Sequence, residues 1–187
     1  MPSNVSATFR QLVIDHRNMA RLLDVLQNEM EDYRQSRHAD FAILSMLLDY
    51  ILNFPELRHH PRENVIFERV KRRDAGASKA IEDLLLEHKD LAALTRKLSA
   101  AIHNLHLEVE MPRPWFEDLV KTYIRRNREH MAKEEETFFP LALKTLSAAD
   151  WQEFDAQGAA ERPDPLFGGK VDAEYQMLHD RIVRLAH

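Results

Sequence analysis

Residues 59–67 read HHPRENVIF and residues 130–138 read HMAKEEETF, and each segment places a glutamate four positions after a histidine. On an α-helix, residues four apart lie one above the other on the same face. His59 and Glu63 therefore present an imidazole and a carboxylate to one point, and His130 and Glu134 do the same. This repeated pair predicts helices whose polar side chains converge on one site.

Around these pairs, apolar residues recur at intervals of three and four, the pattern of helices with one buried face. Pro55 and Pro61 are expected to kink the second of these helices. The predicted helices cover roughly residues 6–33, 40–72, 78–105 and 114–140. Because short connections favour antiparallel neighbours, the predicted fold class is all-α, an up-down-up-down antiparallel four-helix bundle over residues 1–146.

Residues 147–187 are predicted to form a C-terminal helical extension packed on the bundle. Ser147 and Asp150 indicate the capped start of a short helix. The turn-rich stretch at residues 155–169 predicts a loop, and a last helix is expected over about 171–185.

Composition narrows the classes of function. The chain has no cysteine, which excludes disulfides, thiolate metal sites and cysteine nucleophiles. A formal net charge of -5 gives no electrostatic footprint for nucleic acid or an anionic membrane. The start of the sequence lacks a basic segment followed by a long apolar run, so we expect a cytoplasmic protein with neither nucleic-acid nor membrane partners.

Two further histidines, His16 and His88, lie within the apolar stripes of the first and third helices. At a rise of about 1.5 Å per residue, four histidines and two glutamates fall at a similar level of an antiparallel bundle. A single buried histidine is easily satisfied by one neighbour, but two buried carboxylates at one level need charge partners or a metal. We therefore predict a metal site formed by His16, His59, Glu63, His88, His130 and Glu134.

Imidazole and carboxylate together suit iron, with manganese or zinc as alternatives, and disfavour calcium and magnesium. Two carboxylates from different helices can bridge two ions. Six protein ligands leave coordination positions open, unlike a closed structural site. The prediction is a redox-active centre of two non-haem irons.

The combined pattern resembles the hemerythrin-like (HHE) cation-binding family: a lone histidine, His-x-x-x-Glu, a histidine and a second His-x-x-x-Glu on successive helices. The resemblance covers roughly residues 6–145. It implies a four-helix bundle with a solvent-bridged di-iron site. Members include oxygen-binding hemerythrins, proteins implicated in nitric oxide handling and iron–sulfur repair, and iron or oxygen sensors.

This chain departs from the oxygen carriers in two ways. The positions one turn from His88 are Leu84 and Ala92 rather than a second histidine, and the fourth helix has a glutamate at four residues rather than an aspartate at five. Some relatives use the residue after the helix-2 histidine, so His60 is a seventh candidate ligand. On an ideal helix it points about 100° away from His59, which leaves a surface or surrounding role equally open. Relatives with a repair role often carry a cysteine, which this chain lacks.

The leading hypothesis is a protein that binds or senses oxygen, nitric oxide or peroxide, either as a monomer or as a dimer. One alternative is an enzyme with peroxidase-like or nitric oxide reductase-like activity, or a repair-related role. Another is a regulatory or partner-binding module that the metal stabilises. Tyr123 lies on the same apolar stripe as His130, and we expect it to pack in the core. The alternative is a role beside the metal site as a hydrogen-bond donor or radical relay. The remaining histidines are read as loop, helix-end or surface residues: His38, His103, His106 and His179.

Overall fold

The computed structural model describes residues 6–35, 39–158 and 163–186. Within these ranges the chain forms helices and turns and no strand, which confirms the all-α helical fold class. The α-helices are α1 (Ala7–Arg34), α2 (Phe41–Asn53), α3 (His60–Arg73), α4 (Ser78–His106), α5 (Arg113–Lys133), α6 (Phe139–Thr145), α7 (Ala148–Gly158) and α8 (Gln176–Leu185). None of these helices is long and apolar enough to cross a membrane.

Two helices are joined to their successors by single π-helical segments, Pro55–His59 between α2 and α3 and Glu134–Phe138 between α5 and α6. The four long segments of the bundle are thus α1, α2 with α3, α4, and α5 with α6. Local sequence starts two of them, because Ser6 accepts a hydrogen bond from the Phe9 backbone at 3.3 Å and Asp40 caps α2. The predicted kink in the second segment takes the form of the π-turn that begins at Pro55.

The buried apolar residues form two clusters, one on each side of the predicted metal level. The first cluster takes residues from the end of α1, from α2, the end of α4, the start of α5, and α8. The second takes them from the start of α1, from α3, the start of α4, and α6 and α7. Starts and ends alternate between the clusters, as expected of an antiparallel bundle, and the candidate ligands lie between the two.

The C-terminal extension is tied to the bundle at several points. The Asp155 carboxylate accepts hydrogen bonds from the Ser6 hydroxyl at 2.6 Å and the Thr8 backbone at 2.7 Å, and so caps the start of α1. At the other end, Arg181 on α8 donates to Glu29 at 2.8 Å. The division of the chain into 1–146 and 147–187 stays a prediction.

Two boundaries within the extension were predicted wrongly. The predicted loop at residues 155–169 begins later, because α7 continues to Gly158. Its last turn is held by the contact between Asp155 and α1, which the local sequence does not reveal. The last helix is shorter than predicted, since Ala173–Tyr175 forms a 3₁₀ turn before α8 begins at Gln176.

Candidate metal centre

The candidate ligands lie on all four long segments of the bundle. His16 is on α1, His88 on α4 and His130 on α5. His59 and Glu134 belong to the two π-helical segments. A π-turn closes a hydrogen bond from residue i+5 to residue i, as the backbone of His60 does to Pro55, and such turns often occur at functional sites.

The structure brings all seven candidate residues together in two adjacent groups. One group contains His16, His59, Glu63 and Glu134, and the other contains His60, His88 and His130; within each group, one potential ligand atom per residue lies within 4.8 Å of all the others. The two groups meet at the carboxylates. Glu134 Oε1 lies 3.3 Å from both His88 Nε2 and His130 Nε2, and its Oε2 lies 3.3 Å from His16 Nε2.

Glu63 has the same central position. Its Oε2 lies 3.3 Å from His59 Nε2 and 3.4 Å from His88 Nε2, and its Oε1 lies 3.7 Å from His16 Nε2. Glu63 and Glu134 are both completely shielded from solvent. Each carboxylate therefore faces imidazoles of both groups, as a bridge between two ions requires.

Several of these buried atoms have no hydrogen-bond partner among the described residues. They are His16 Nε2, both oxygens of Glu63, His130 Nε2 and Glu134 Oε2. His16 Nε2 and Glu134 Oε2 approach to 3.3 Å, yet without the alignment of a hydrogen bond. Leaving such groups unsatisfied is costly. Their convergence is explained by ligation of metal, whose bonds to nitrogen and oxygen are about 2.0–2.2 Å long in the case of zinc.

The other ring nitrogen of each histidine is hydrogen-bonded to an oxygen. This arrangement fixes the ring orientation and leaves Nε2 directed to the centre, as second partners of metal-binding histidines do. The Nδ1 contacts are His16 to Glu135 (2.9 Å), His59 to Asp15 (3.2 Å), His60 to Glu56 (3.3 Å), His88 to Asn64 (3.0 Å) and His130 to Glu87 (2.9 Å).

The metal-free centre balances its charge with protons. Burial acts to lower the pKa values of His16 and His88, but the carboxylates of Glu134 and Glu63 within 3.3–3.7 Å outweigh burial and raise these values to about 10 and about 9. Burial also acts to raise the pKa of Glu63, but the neighbouring imidazoles dominate and lower it to about 2. At neutral pH the carboxylates are therefore ionised and these two histidines are protonated.

Aromatic rings cover one side of the centre. The rings of Phe139 and His16 stack with centroids 5.1 Å apart, and Phe67 stacks on His88 at 5.5 Å. Phe138 meets Phe67 edge-on at 4.3 Å. Trp151 belongs to the same end of the bundle, because its ring meets Phe9 edge-on with centroids 5.9 Å apart. These rings exclude water from the side of the centre that faces α6.

His60 is the candidate that the sequence left undecided. Its ring stacks on His88 with centroids 4.1 Å apart, and burial lowers its pKa, so it is neutral at pH 7. The π-turn ending at His59 breaks the ideal helical spacing on which the 100° separation depended. His60 consequently joins His88 and His130, while its ligation of a metal stays a prediction.

The other histidines lie away from the centre. His103 and His106 are exposed at the end of α4, and His179 lies 3.7 Å from Asp180 on α8. His38 lies outside the described residues.

Tyr123 is fully buried, with its hydroxyl 3.5 Å from Thr95 Oγ1, so it packs in the core within reach of one polar neighbour.

The sequence analysis missed most of the residues that orient the imidazoles. One signal was available for Glu56, since it precedes His60 by four residues on the same helical face. Asp15 and Glu87 adjoin candidate ligands in sequence, but they hold histidines of other helices. Such contacts depend on how the helices pack, and one helix's sequence does not encode them.

Comparison with known proteins agrees with this geometry. The family described as the hemerythrin HHE cation binding domain matches residues 8–142, well over half of the chain. The chain belongs to this family, and all seven candidate residues lie within the match. The comparison with curated proteins and the comparison with solved structures each gave no match.

Proposed function

We propose that this member of the hemerythrin HHE family holds two iron ions and binds or senses a small ligand: oxygen, nitric oxide or peroxide. The observation that carries the proposal is the pair of adjacent ligand groups that meet at Glu63 and Glu134. Manganese and zinc are the alternative metals for this donor set.

In the proposed arrangement, His16 and His59 hold one ion and His60, His88 and His130 hold the other. Glu63 and Glu134 bridge the two. Imidazoles and carboxylates in this number do not fill the coordination shells of two octahedral irons, so the metal would supply open positions for a small ligand.

The surrounding residues would support this function by holding the ligands and limiting water. The oxygens at Nδ1, carboxylates for four of the histidines and the Asn64 amide for His88, keep the imidazoles in the tautomer that offers Nε2 to a metal and raise their basicity. The apolar wall, which includes Leu12, Ile66, Leu84 and Phe138, is at most 2% exposed. A ligand would therefore approach from the opposite side, where the centre borders a cavity.

The test starts from anaerobically purified protein. We expect about two irons per chain after reconstitution with ferrous iron, and a new absorption band in the visible spectrum on addition of oxygen, nitric oxide or hydrogen peroxide. His59→Ala and Glu134→Ala should each lower the metal content. His103→Ala, which removes an exposed histidine far from the centre, should retain it. Full occupancy in both site variants would contradict the ligand assignment.

The same preparation separates the alternative functions. Turnover of peroxide or nitric oxide well above that of free iron would favour an enzyme. Two metals with a metal-dependent melting shift, but with no spectral response to any of the three ligands, would favour a metal-stabilised module.

A further inference from the structure

A cavity of about 570 Å³ adjoins the candidate metal centre on the side away from the aromatic wall. Five candidate ligands line its inner end: His16, His59, His60, His130 and Glu134. A diatomic molecule or peroxide needs a space comparable to that of a water molecule, about 30 Å³. The cavity instead has the size of sites that hold organic ligands, about 300–1,000 Å³.

The C-terminal extension builds the outer wall of this cavity. Asp155, Asp164 and Phe167 line it together with residues of the bundle. The segment at 163–168 is held firmly, because Tyr50 donates to Asp164 at 2.6 Å and Asp164 accepts the backbone N–H of Phe167 at 2.7 Å. This part of the wall, at residues 163–168, is therefore held in place by hydrogen bonds.

Much of the lining is apolar. Tyr50 stacks on Phe54 with ring centroids 5.3 Å apart and meets Phe167 edge-on at 5.9 Å, which fixes two aromatic rings of the lining. Ile14 and Leu22 add aliphatic surface from α1. Apolar walls of this kind suit a ligand with an aliphatic or aromatic body.

The carboxylates of the lining outside the metal centre are engaged within the protein. Asp15 accepts a hydrogen bond from the Arg62 guanidinium at 3.1 Å, Asp155 caps α1, and Asp164 accepts a hydrogen bond from the Tyr50 hydroxyl. The guanidinium of Arg58 lies over the Phe54 ring, 4.8 Å from its centroid. A cationic ligand would have to displace a donor from one of these carboxylates, and an anionic ligand would compete with Asp15 for Arg62 and meet the other carboxylates of the lining, so the cavity favours an uncharged ligand.

Two carboxamides lie beside the metal level. Asn18 follows His16 by two residues, is 8% exposed, lines the cavity, and forms no side-chain hydrogen bond within the described part of the chain. Asn127 precedes His130 by three residues, is also 8% exposed, and donates to the Tyr123 carbonyl at 2.9 Å, which leaves its Oδ1 to accept. Both amides line the cavity, so each can exchange a hydrogen bond with a polar group placed there.

We propose that this cavity binds an uncharged organic molecule with an apolar body and a hydroxyl-type head group, as in a phenol, an alcohol or an organic hydroperoxide. The body lies between Phe54, Phe167 and Ile14, and the head group meets Asn18 and Asn127 next to the metal ligands. The proposal deepens the proposed function by naming the ligand class, and it rests on that function only for the approach of the head group to a metal.

The probe is 4-propylphenol, titrated calorimetrically into metal-loaded protein whose metal content is measured in the same sample. We expect saturable binding, weakened at least tenfold for the anion 4-propylbenzoate. Asn18→Leu keeps the side-chain volume and removes the amide, and should weaken binding of the phenol about 3- to 10-fold, the effect of one hydrogen bond.

Ile14→Trp should abolish binding by placing a larger ring in the cavity, and because Ile14 is 43% exposed the substitution does not disturb the buried core. Leu86→Trp is the matched control, because Leu86 is 58% exposed on α4 and does not line the cavity. It should bind as the unmodified protein does. Circular dichroism and metal content report whether each variant is folded.

The outcomes separate the two proposals. No binding of 4-propylphenol by protein that holds two metals overturns the inference and leaves the proposed function standing. Binding that neither Asn18→Leu nor Ile14→Trp changes also overturns it. Binding with the expected variant pattern in protein that takes up no metal would support the cavity site and contradict the proposed metal centre.

Discussion

Metal binding to this centre should release protons, chiefly from two histidines whose pKa values are raised most. His16 and His88 have pKa values raised to about 10 and about 9 in the metal-free protein. Both are therefore protonated at pH 7, whereas a metal requires the neutral imidazole. Loading both metal positions should release at least two protons, because Glu134 and Glu87 raise the pKa of His130 as well.

This release of protons determines how the affinity for metal depends on pH. Each proton displaced makes the overall binding constant about tenfold larger per pH unit, or about 1.4 kcal/mol. Two protons give about 100-fold and roughly 2.7 kcal/mol per unit. The affinity for metal therefore rises from pH 7 toward pH 8.5 and levels off above the raised pKa values.

The assay is competition for zinc with a chromophoric chelator between pH 7 and 8.5, corrected for the chelator's own protonation. A pH indicator in weak buffer counts the released protons independently. His88→Gln should reduce the slope of log K against pH by about one, while His103→Ala should leave it unchanged. A slope near zero would refute the view that protons neutralise Glu63 and Glu134 in the metal-free protein.

Three further predictions concern a residue that orients a metal ligand and the stability of the folded protein. Glu87→Gln removes the carboxylate that holds His130 Nδ1 and should weaken metal affinity about 10- to 100-fold in the same chelator assay, whereas exposed Glu82→Gln on the same helix should not. Asp150→Ala removes the carboxylate that accepts hydrogen bonds from Arg69, Arg73 and Ser147, and it should lower the free energy of unfolding in urea by about 1.5–3 kcal/mol. Glu153→Ala, at a half-exposed position, should cost about 1 kcal/mol or less. The metal-free protein should melt at progressively lower temperature as the pH rises from 6.5 to 10. The raised pKa values of His16 and His88 stabilise the fold fully below pH 6.5, the pKa of an imidazole in the unfolded chain, and this stabilisation is lost as the pH rises through their pKa values in the folded protein. A melting temperature that does not change with pH would contradict this.

The fold and the paired ligands could be predicted because both follow local spacing. His59 and Glu63 share a face through the helical repeat alone, and Leu84 and Leu91 beside His88 mark that histidine as buried. The buried charges then required a common partner. No tertiary information was needed for this part.

His60 and the extension could not be predicted in the same way. The position of His60 depends on the π-turn from Pro55, where the backbone adds a residue to the helical repeat and the ideal angular spacing fails. The end of α7 depends on Asp155 reaching α1 across more than a hundred residues of sequence. Both features are set by packing between elements, which a periodic pattern does not report.

The metal ligands and the cavity wall lie in different parts of the chain. All seven candidate ligands fall within the family match at residues 8–142, but Asp155, Asp164 and Phe167 lie beyond it. The bundle alone accounts for the donor set, while residues after it line the outer part of the cavity beside the centre. A family member that kept the seven residues and changed this segment would retain the metal-binding capacity inferred here and present a different cavity. The identity of the ligand is therefore to be sought in the contacts of the extension rather than in the histidines and glutamates that define the family.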